Sequence, residues 1–185
     1  MKLRRPPAFL IGFVGAAAAT AFIVEGGAWW VARQFVGPPV ERFRSGVFEF
    51  QLAPGWQCRE EGTEFICEKG KPPYAAIVVL TMKWRGSTDT LAAYRQHLST
   101  PQQRSFGGRT WTSTVVNVES RRIGGREWIV GRHFESELRN FYTDYYAALT
   151  SHKAVLVTFS VHQSAVAATR PEFRRMVESL LLFQE

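Results

Sequence analysis

Apolar and polar residues alternate along most of the chain after residue 46, and a period of two is typical of a strand with one buried face. Eight strands are predicted, two in the hairpin of residues 55–69 and the others at residues 47–52, 74–83, 110–123, 126–135, 140–150 and 153–162. Both faces of the strand at 140–150 are fairly apolar, so we expect both to be covered.

Apolar residues at a spacing of three to four predict a first helix at residues 89–99. Thr88 or Asp89 can cap its N-terminus, because a side-chain oxygen there accepts from a free backbone N–H group. One face of this helix carries an apolar stripe of Leu91, Tyr94 and Leu98.

A second helix is predicted at residues 170–182, close to the end of the chain. Thr169 and Glu172 have the spacing of a capping box, and Pro171 falls in the first turn, where proline is tolerated. The face expected to pack on the sheet consists of Phe173, Met176, Val177, Leu180 and Leu181.

The predicted elements follow the order of four strands, a helix, four strands and a closing helix. Strands joined by short turns, such as Gly124-Gly125, pair antiparallel. The order therefore predicts an α+β fold, with a mainly antiparallel sheet and flanking helices.

The chain's two cysteines lie in the predicted hairpin of residues 55–69. If Gly62 and Thr63 form the turn, Cys58 lies opposite Cys67 in a non-hydrogen-bonded pair, where side chains approach most closely. We expect a structural disulfide, which requires an oxidising compartment. The alternative, a redox or metal pair, lacks a C-x-x-C spacing and a neighbouring histidine.

The N-terminal segment is basic and then apolar, with 16 uncharged residues from Phe9 to Val24. This pattern fits either a cleaved signal peptide or an uncleaved membrane anchor at residues 1–32. A helix over residues 8–32 would span about 37 Å, enough to cross a bilayer core. Trp29 and Trp30 would then lie at the membrane interface.

As an anchor, the segment predicts contacts with lipid and with other membrane helices. Lys2, Arg4 and Arg5 favour a cytoplasmic N-terminus, which puts the following domain on the periplasmic side of the inner membrane. A stripe of small residues at four-residue spacing could pack on another membrane helix: Ala8, Gly12, Ala16 and Thr20. Residues 33–45 are predicted as a linker and residues 46–185 as the exported domain.

The net charge of +7 changes this picture little, because only +4 of it belongs to residues 41–185. No RNA-binding, zinc-finger or basic-region pattern occurs, so we expect no nucleic-acid partner. Tyrosine and arginine are frequent in protein interfaces. The residues proposed as partner contacts are Arg121, Arg122, Tyr142 and Tyr146.

Residues that carry chemistry are few. None of the four histidines has a second histidine or a carboxylate at ligand spacing, and the motifs of nucleophilic hydrolases and phosphate-binding loops are missing. Asp144 lies in the middle of a predicted strand and is expected to pair with an arginine or face solvent. We expect no catalytic site, no metal site and no cofactor.

Four features together resemble the PsbP-like α/β/α sandwich domains over roughly residues 46–185. They are Pro54-Gly55-Trp56 after the opening strand, the helix TLAAYRQHL, the meander ending in YYAALTSHKAVLVTFSV and the closing helix EFRRMVESL. The resemblance implies a non-enzymatic accessory or assembly subunit of a larger membrane complex, for which a photosynthetic or respiratory complex is a reasonable host. The alternative is an anchored periplasmic domain that binds a small ligand or an anionic surface.

Overall fold

The computed structural model describes residues 41–71 and 75–183, which belong to the unit of residues 41–185. In chain order the elements are β1 (Arg42–Arg44), β2 (Phe48–Gln51), β3 (Gln57–Glu61), β4 (Glu64–Lys69), β5 (Ala76–Trp84), α1 (Leu91–Leu98), β6 (Gln103–Phe106), β7 (Arg109–Thr112), β8 (Thr114–Ile123), β9 (Arg126–Phe134), β10 (Phe141–Leu149), β11 (Lys153–His162), a 3₁₀ turn (Gln163–Ala165), α2 (Val166–Glu178) and β12 (Leu181–Leu182).

Seven strands form the central sheet in the order β3-β4-β5-β11-β10-β9-β8, and every neighbouring pair is antiparallel. Gly124 and Gly125 both have positive φ angles, 58° and 76°, as the two-residue turn between β8 and β9 requires. The mainly antiparallel α+β fold predicted from the sequence is confirmed.

The two helices pack on opposite faces of this sheet. On one face, Phe173 and Met176 of α2 are buried over Phe159 and Val157 of β11 in the larger core. On the other face, Leu98 of α1 packs on β9 and β10. The strand at Phe141–Leu149 is therefore covered on both sides, as predicted, and its residues Tyr145 and Tyr146 are buried on opposite faces.

A small sheet, with β2 between β1 and β12, adds a phenylalanine cluster to the larger core. It corrects the end of the linker predicted at 33–45, because Arg42–Arg44 pairs with β2, while residues 33–40 lie outside the described residues. It also corrects the end of the second helix: Leu181 and Leu182 pair with β2 as a strand, and Leu181 is exposed. β1 has only three residues and pairs with the neighbouring strand β2, whereas β12 depends on a long-range pairing that local patterns do not reveal.

The predicted capping box of the second helix is wrong. The helix begins at Val166, so the Thr169 hydroxyl lies inside it and donates to the carbonyl oxygen of Ala165. Glu172 instead accepts from Lys69 and Trp56, 2.7 and 3.1 Å away. These bonds favour the ionised carboxylate and outweigh the burial that opposes it, so the pKa of Glu172 is lowered.

The first helix keeps its predicted apolar stripe, but its cap is Thr90, whose side chain accepts from the backbone N–H of Ala93. The strand predicted at 110–123 is divided at Ser113, which bonds to Gln102 through its backbone and its hydroxyl. Residues before this break pair with β6 in a separate hairpin that the sequence pattern did not reveal.

No helix within residues 41–71 and 75–183 is long and apolar enough to cross a membrane. The predicted anchor at residues 1–32 lies outside the described residues. The positions proposed for helix packing and for the membrane interface lie outside them as well: Ala8, Gly12, Ala16, Thr20, Trp29 and Trp30.

Candidate binding groove

A groove of about 700 Å³ lies between α1 and the sheet. It exists because α1 has only eight residues and packs on β8, β9 and β10, leaving β11 and β5 beside it open. Its lining residues come from these strands, from α1 and from the segments near β6 and the β9–β10 turn. A volume of this size is in the usual range of ligand sites.

Small side chains on the sheet leave the space that forms the groove. Ala147 of β10 and Ala154 of β11 are buried there, and their neighbour Leu156 is 38% exposed. Thr81 and Thr158 add hydroxyl groups along the open side. The floor is thus apolar with a few hydroxyl groups, a combination typical of binding sites.

One end of the groove holds a hydrogen-bonded cluster around Tyr145. Its hydroxyl lies 2.5 Å from Glu137 Oε1 and 2.8 Å from Ser136 Oγ. Arg104 completes the cluster, with Nε donating to the Ser136 carbonyl oxygen at 2.7 Å and Nη2 lying 3.3 Å from Glu137 Oε1. Burial, followed by the bond to the Glu137 carboxylate, raises the pKa of Tyr145 well above its ordinary value.

His133 lies beneath this end and is buried. Its Nε2 atom donates to the carbonyl oxygen of Leu98 at 2.7 Å, which leaves Nδ1 to face the Ser113 hydroxyl at 3.4 Å. Burial lowers the pKa of His133, because the charged imidazolium loses its hydration. This histidine therefore holds α1 in place as a neutral donor.

At the other end of the groove, Asp89 holds the lining residues Lys83 and Tyr94. Its carboxylate accepts from the backbone N–H of Gly86 and from the Tyr94 hydroxyl, both at 2.7 Å, and pairs with Lys83 at 2.9 Å. The bond to Lys83, then those to Gly86 and Tyr94, lower the pKa of Asp89 to about 2. Burial and the bond to Asp89 raise the pKa of Tyr94 to about 12.

Of the residues proposed from the sequence, the two cysteines come together as expected. Cys58 lies opposite Cys67 in the hairpin, their Cα atoms are 4.0 Å apart, and the disulfide is formed. The predicted turn at Gly62 and Thr63 is also present. Cys67 is buried in the larger core, so the disulfide attaches the outer strand to it.

The proposed partner contacts do not form one surface. Tyr146 is buried under α2, so its proposal as a contact residue is wrong. Tyr142 is half-buried, with the Arg132 guanidinium 4.6 Å above its ring. Arg122 is exposed on the edge strand β8, and Arg121 pairs there with Glu119. None of the four lines the groove.

Asp144 has the role that the sequence favoured, as the partner of arginines. It is buried on the α2 face, with Arg170 Nε 3.0 Å from Oδ2 and Arg132 Nε 3.4 Å from Oδ1. Two guanidinium groups thus neutralise one buried carboxylate, and the arrangement joins α2 to β9 and β10.

The groove was not predicted from the sequence. The alanines at 147 and 154 were a signal, because small residues on a sheet face beneath a short helix leave space. Within the described ranges, no group of three or more His, Cys, Asp or Glu side chains could hold a metal ion. The polar side chains at the groove's ends are paired with one another, an arrangement suited to binding.

The fold is similar to several solved structures. PsbP from the cyanobacterium Synechocystis sp. PCC 6803 superposes with a TM-score of 0.55 and 12% identity, over 80% of this chain and 95% of that one. LpqN of Mycobacterium tuberculosis, involved in cell envelope biogenesis, gives 0.50 and 10%, over 80% and 87%. The Ran-binding protein Mog1p of Saccharomyces cerevisiae gives 0.50 and 8%, over 78% and 96%.

The domain is thus an antiparallel sheet with a helix on each face, and this fold is the PsbP-like fold shared by these structures. The resemblance seen in the sequence is confirmed at the level of the fold. No protein-family model matches the chain, and no curated protein matches it in sequence.

Proposed function

We propose that this chain is an accessory protein of the cell envelope, tethered to the inner membrane by residues 1–32 and binding a membrane protein complex through the groove face of its domain. The single observation that carries the proposal is the half-covered sheet face beside α1, with its apolar floor. Such a face in a stable domain is typical of an interaction site. The similarity in fold to PsbP and LpqN supports an accessory or envelope-associated role.

The Cys58–Cys67 disulfide supports the proposed location. Structural disulfides persist in oxidising compartments, of which the bacterial periplasm is one. The basic and apolar N-terminal segment would supply the route there and the tether.

A non-enzymatic role is part of the proposal. The polar groups at the ends of the groove are engaged in bonds that hold the fold: Tyr145 with Glu137, His133 with Leu98 and Asp89 with Lys83. A catalytic site needs a nucleophile, acid or base that points at a substrate position, and these groups point at each other.

The test is gentle detergent extraction of native membranes, followed by native gel separation and mass spectrometry of the band that contains this chain. We expect migration with a larger complex, with peptides from residues 9–33 still present. Migration alone near 21 kDa would overturn the proposal.

Variants of the tether sharpen this test. Gly12→Leu with Ala16→Leu enlarges the proposed packing stripe and should loosen association with the complex, while the domain melts as before. Val14→Leu, on the opposite side of a helix, is the matched control and should leave association unchanged.

The volume of the groove favours a second candidate, a periplasmic domain that carries a small ligand. About 700 Å³ would accommodate a drug-sized molecule with an apolar body. Native mass spectrometry of the purified chain should then show one bound species of constant mass. The Ala154→Trp variant, in which the larger side chain fills the groove, should lose this species. A protein with only its polypeptide mass would contradict this candidate.

A further inference from the structure

The open part of the sheet face is wider than the groove itself. Register places Ile66 of β4 opposite Val79 of β5, and Val79 opposite Thr158 of β11, so these side chains share the face of α1. Ile77 and Leu156 lie on the same face by alternation. Ile66, Ile77 and Val79 are half-buried, and Leu156 is 38% exposed. Together these four side chains form a continuous apolar strip.

The dimensions of this strip match one helix. Strands β4, β5 and β11 at a spacing of about 4.8 Å span about 10 Å, and an α-helix with its side chains is about 10–12 Å across. β5 has nine residues and is about 30 Å long, the length of a helix of about 20 residues. On the other half of this face, a shorter helix of eight residues, α1, already packs on the sheet.

The outer border of the strip carries an excess of acidic side chains. Beyond β5, the outer border carries Glu61, Glu64 and Glu68 against a single guanidinium, that of Arg59. Arg59 is already paired with Glu61 and Glu68, at 2.5 and 2.6 Å. Glu64 meets the Thr81 hydroxyl at 3.5 Å, on the open side of the groove. The outer border is therefore acidic.

We propose that this face binds a single amphipathic helix of a partner protein, lying beside α1. Its apolar side would cover the strip of Ile66, Val79 and Leu156, with large side chains entering the groove over Ala147 and Ala154. Its flank toward Glu64 and Glu68 would carry lysine or arginine, because opposite charges favour this orientation. The inference rests on the proposed function and names the kind of partner segment that binds.

The proposed occupant is a separate chain. The folded unit begins at Glu41, and the adjoining Phe43 packs on Phe48, Phe50 and Phe65 in the core on the α2 side of the sheet. The docking strip is on the opposite side of the sheet from Phe43.

The test is site-specific photocrosslinking of the full chain in native membranes. The photoreactive residue p-benzoylphenylalanine replaces Leu156 or Val79 in separate variants, and Val116, exposed on the far edge strand, in the control. We expect crosslinks from the first two sites to one segment of another polypeptide, at positions three or four residues apart, with lysine or arginine on one flank. Crosslinks to residues 1–40, to a second copy or to lipid, or no crosslink, would overturn the inference.

Charge reversal provides an independent readout. Glu64→Lys with Glu68→Lys should lower the crosslink yield from Leu156 about fivefold, since two exposed ion pairs are lost. Glu60→Lys, on the opposite face of the same hairpin, is the matched control and should change little. Equal yields in both variants would overturn the proposed orientation. Co-migration with a complex but no helix crosslink would reject the docked helix and leave the accessory role standing.

Discussion

The imidazole of His133 donates its Nε2 proton to the carbonyl oxygen of Leu98, the last residue of α1, over 2.7 Å. The last carbonyl groups of a helix have no donor within the helix. Here a buried histidine of β9 is the donor for one of them. Through this bond, β9 fixes the helix that forms one wall of the groove. The contact is therefore both structural and a determinant of the groove's shape.

Replacing His133→Leu should lower the free energy of unfolding by about 1–3 kcal/mol at pH 7.5, because the Leu98 carbonyl loses its donor. His97→Gln, on the exposed side of α1, is the control and should change stability by less than about 0.5 kcal/mol. Urea unfolding followed by circular dichroism measures both. Equal stability of the His133 variant and the wild type would contradict this role.

The same histidine predicts a pH dependence. Burial lowers the pKa of His133 from 6.5 in the folded state, so below pH 6.5 the unfolded chain binds the proton more readily. The wild type should therefore lose stability as the pH falls through this region. Urea titrations at pH 7.5 and at pH 5 measure the free energy of unfolding of the wild type and of the His133→Leu variant. The difference between the two proteins should be smaller at pH 5; a constant difference would argue against a buried neutral imidazole.

Gly131 of β9 packs closely against Leu98 of α1. A Cβ atom placed there would lie 3.0 Å from Leu98 Cβ, too close for an atom with little freedom to move. Gly131→Ala should therefore push α1 from the sheet and cost about 1–3 kcal/mol. Relative to the wild type, hydrogen exchange in the variant should become faster in Leu91–Leu98 and change less in Val166–Glu178. Unchanged exchange in α1 would refute the prediction.

Asp144 pairs with two part-buried arginines, and its removal leaves them without a counterion. Asp144→Asn keeps the shape and should destabilise the fold by about 3 kcal/mol, since Arg132 is only 15% exposed. Glu119→Gln breaks the more exposed pair with Arg121 and should cost less than about 1 kcal/mol. Similar losses for the two variants in denaturant unfolding would show that the pair on the α2 face is not effectively buried.

Reducing the Cys58–Cys67 disulfide should lower the free energy of unfolding by about 2–3 kcal/mol, as expected for a short closed loop. The variant with Cys58→Ala and Cys67→Ala should show that lower stability with or without dithiothreitol. Because the chain has only two cysteines, the denatured wild type should react with a thiol reagent only after reduction. Reaction before reduction would mean that the disulfide is not formed in the isolated protein.

The elements that sequence analysis predicted well are those specified by neighbouring residues. The hairpin register follows from a two-residue turn, so the pairing of Cys58 with Cys67 could be derived by counting. The long strands β9, β10 and β11 follow from alternation and from the turns between them. In these segments, local chemistry and the final fold agree.

The features that were missed are short or depend on contacts outside their own segment. β1 and β12 are short strands that exist because β2 lies between them, and the division at Ser113 depends on Gln102 across a turn. Thr169 and Glu172 have the spacing of a cap, but the 3₁₀ turn after β11 starts the helix earlier. The groove depends on the distance between a helix and a sheet, which no single segment encodes.

The pairing of β12 with β2 sets the order in which the polypeptide can complete its fold. Leu181 and Leu182 pair with Glu49 and Phe48, and Ser179 Oγ accepts from the backbone N–H of Gln51. During synthesis, residues 48–51 emerge long before Leu181 and Leu182, so the pairing of β2 with β12 forms only after the central sheet has been synthesised. A chain that stops at Glu178 should leave one edge of the phenylalanine-rich strand β2 unpaired, and that open edge should make the protein more susceptible to proteases.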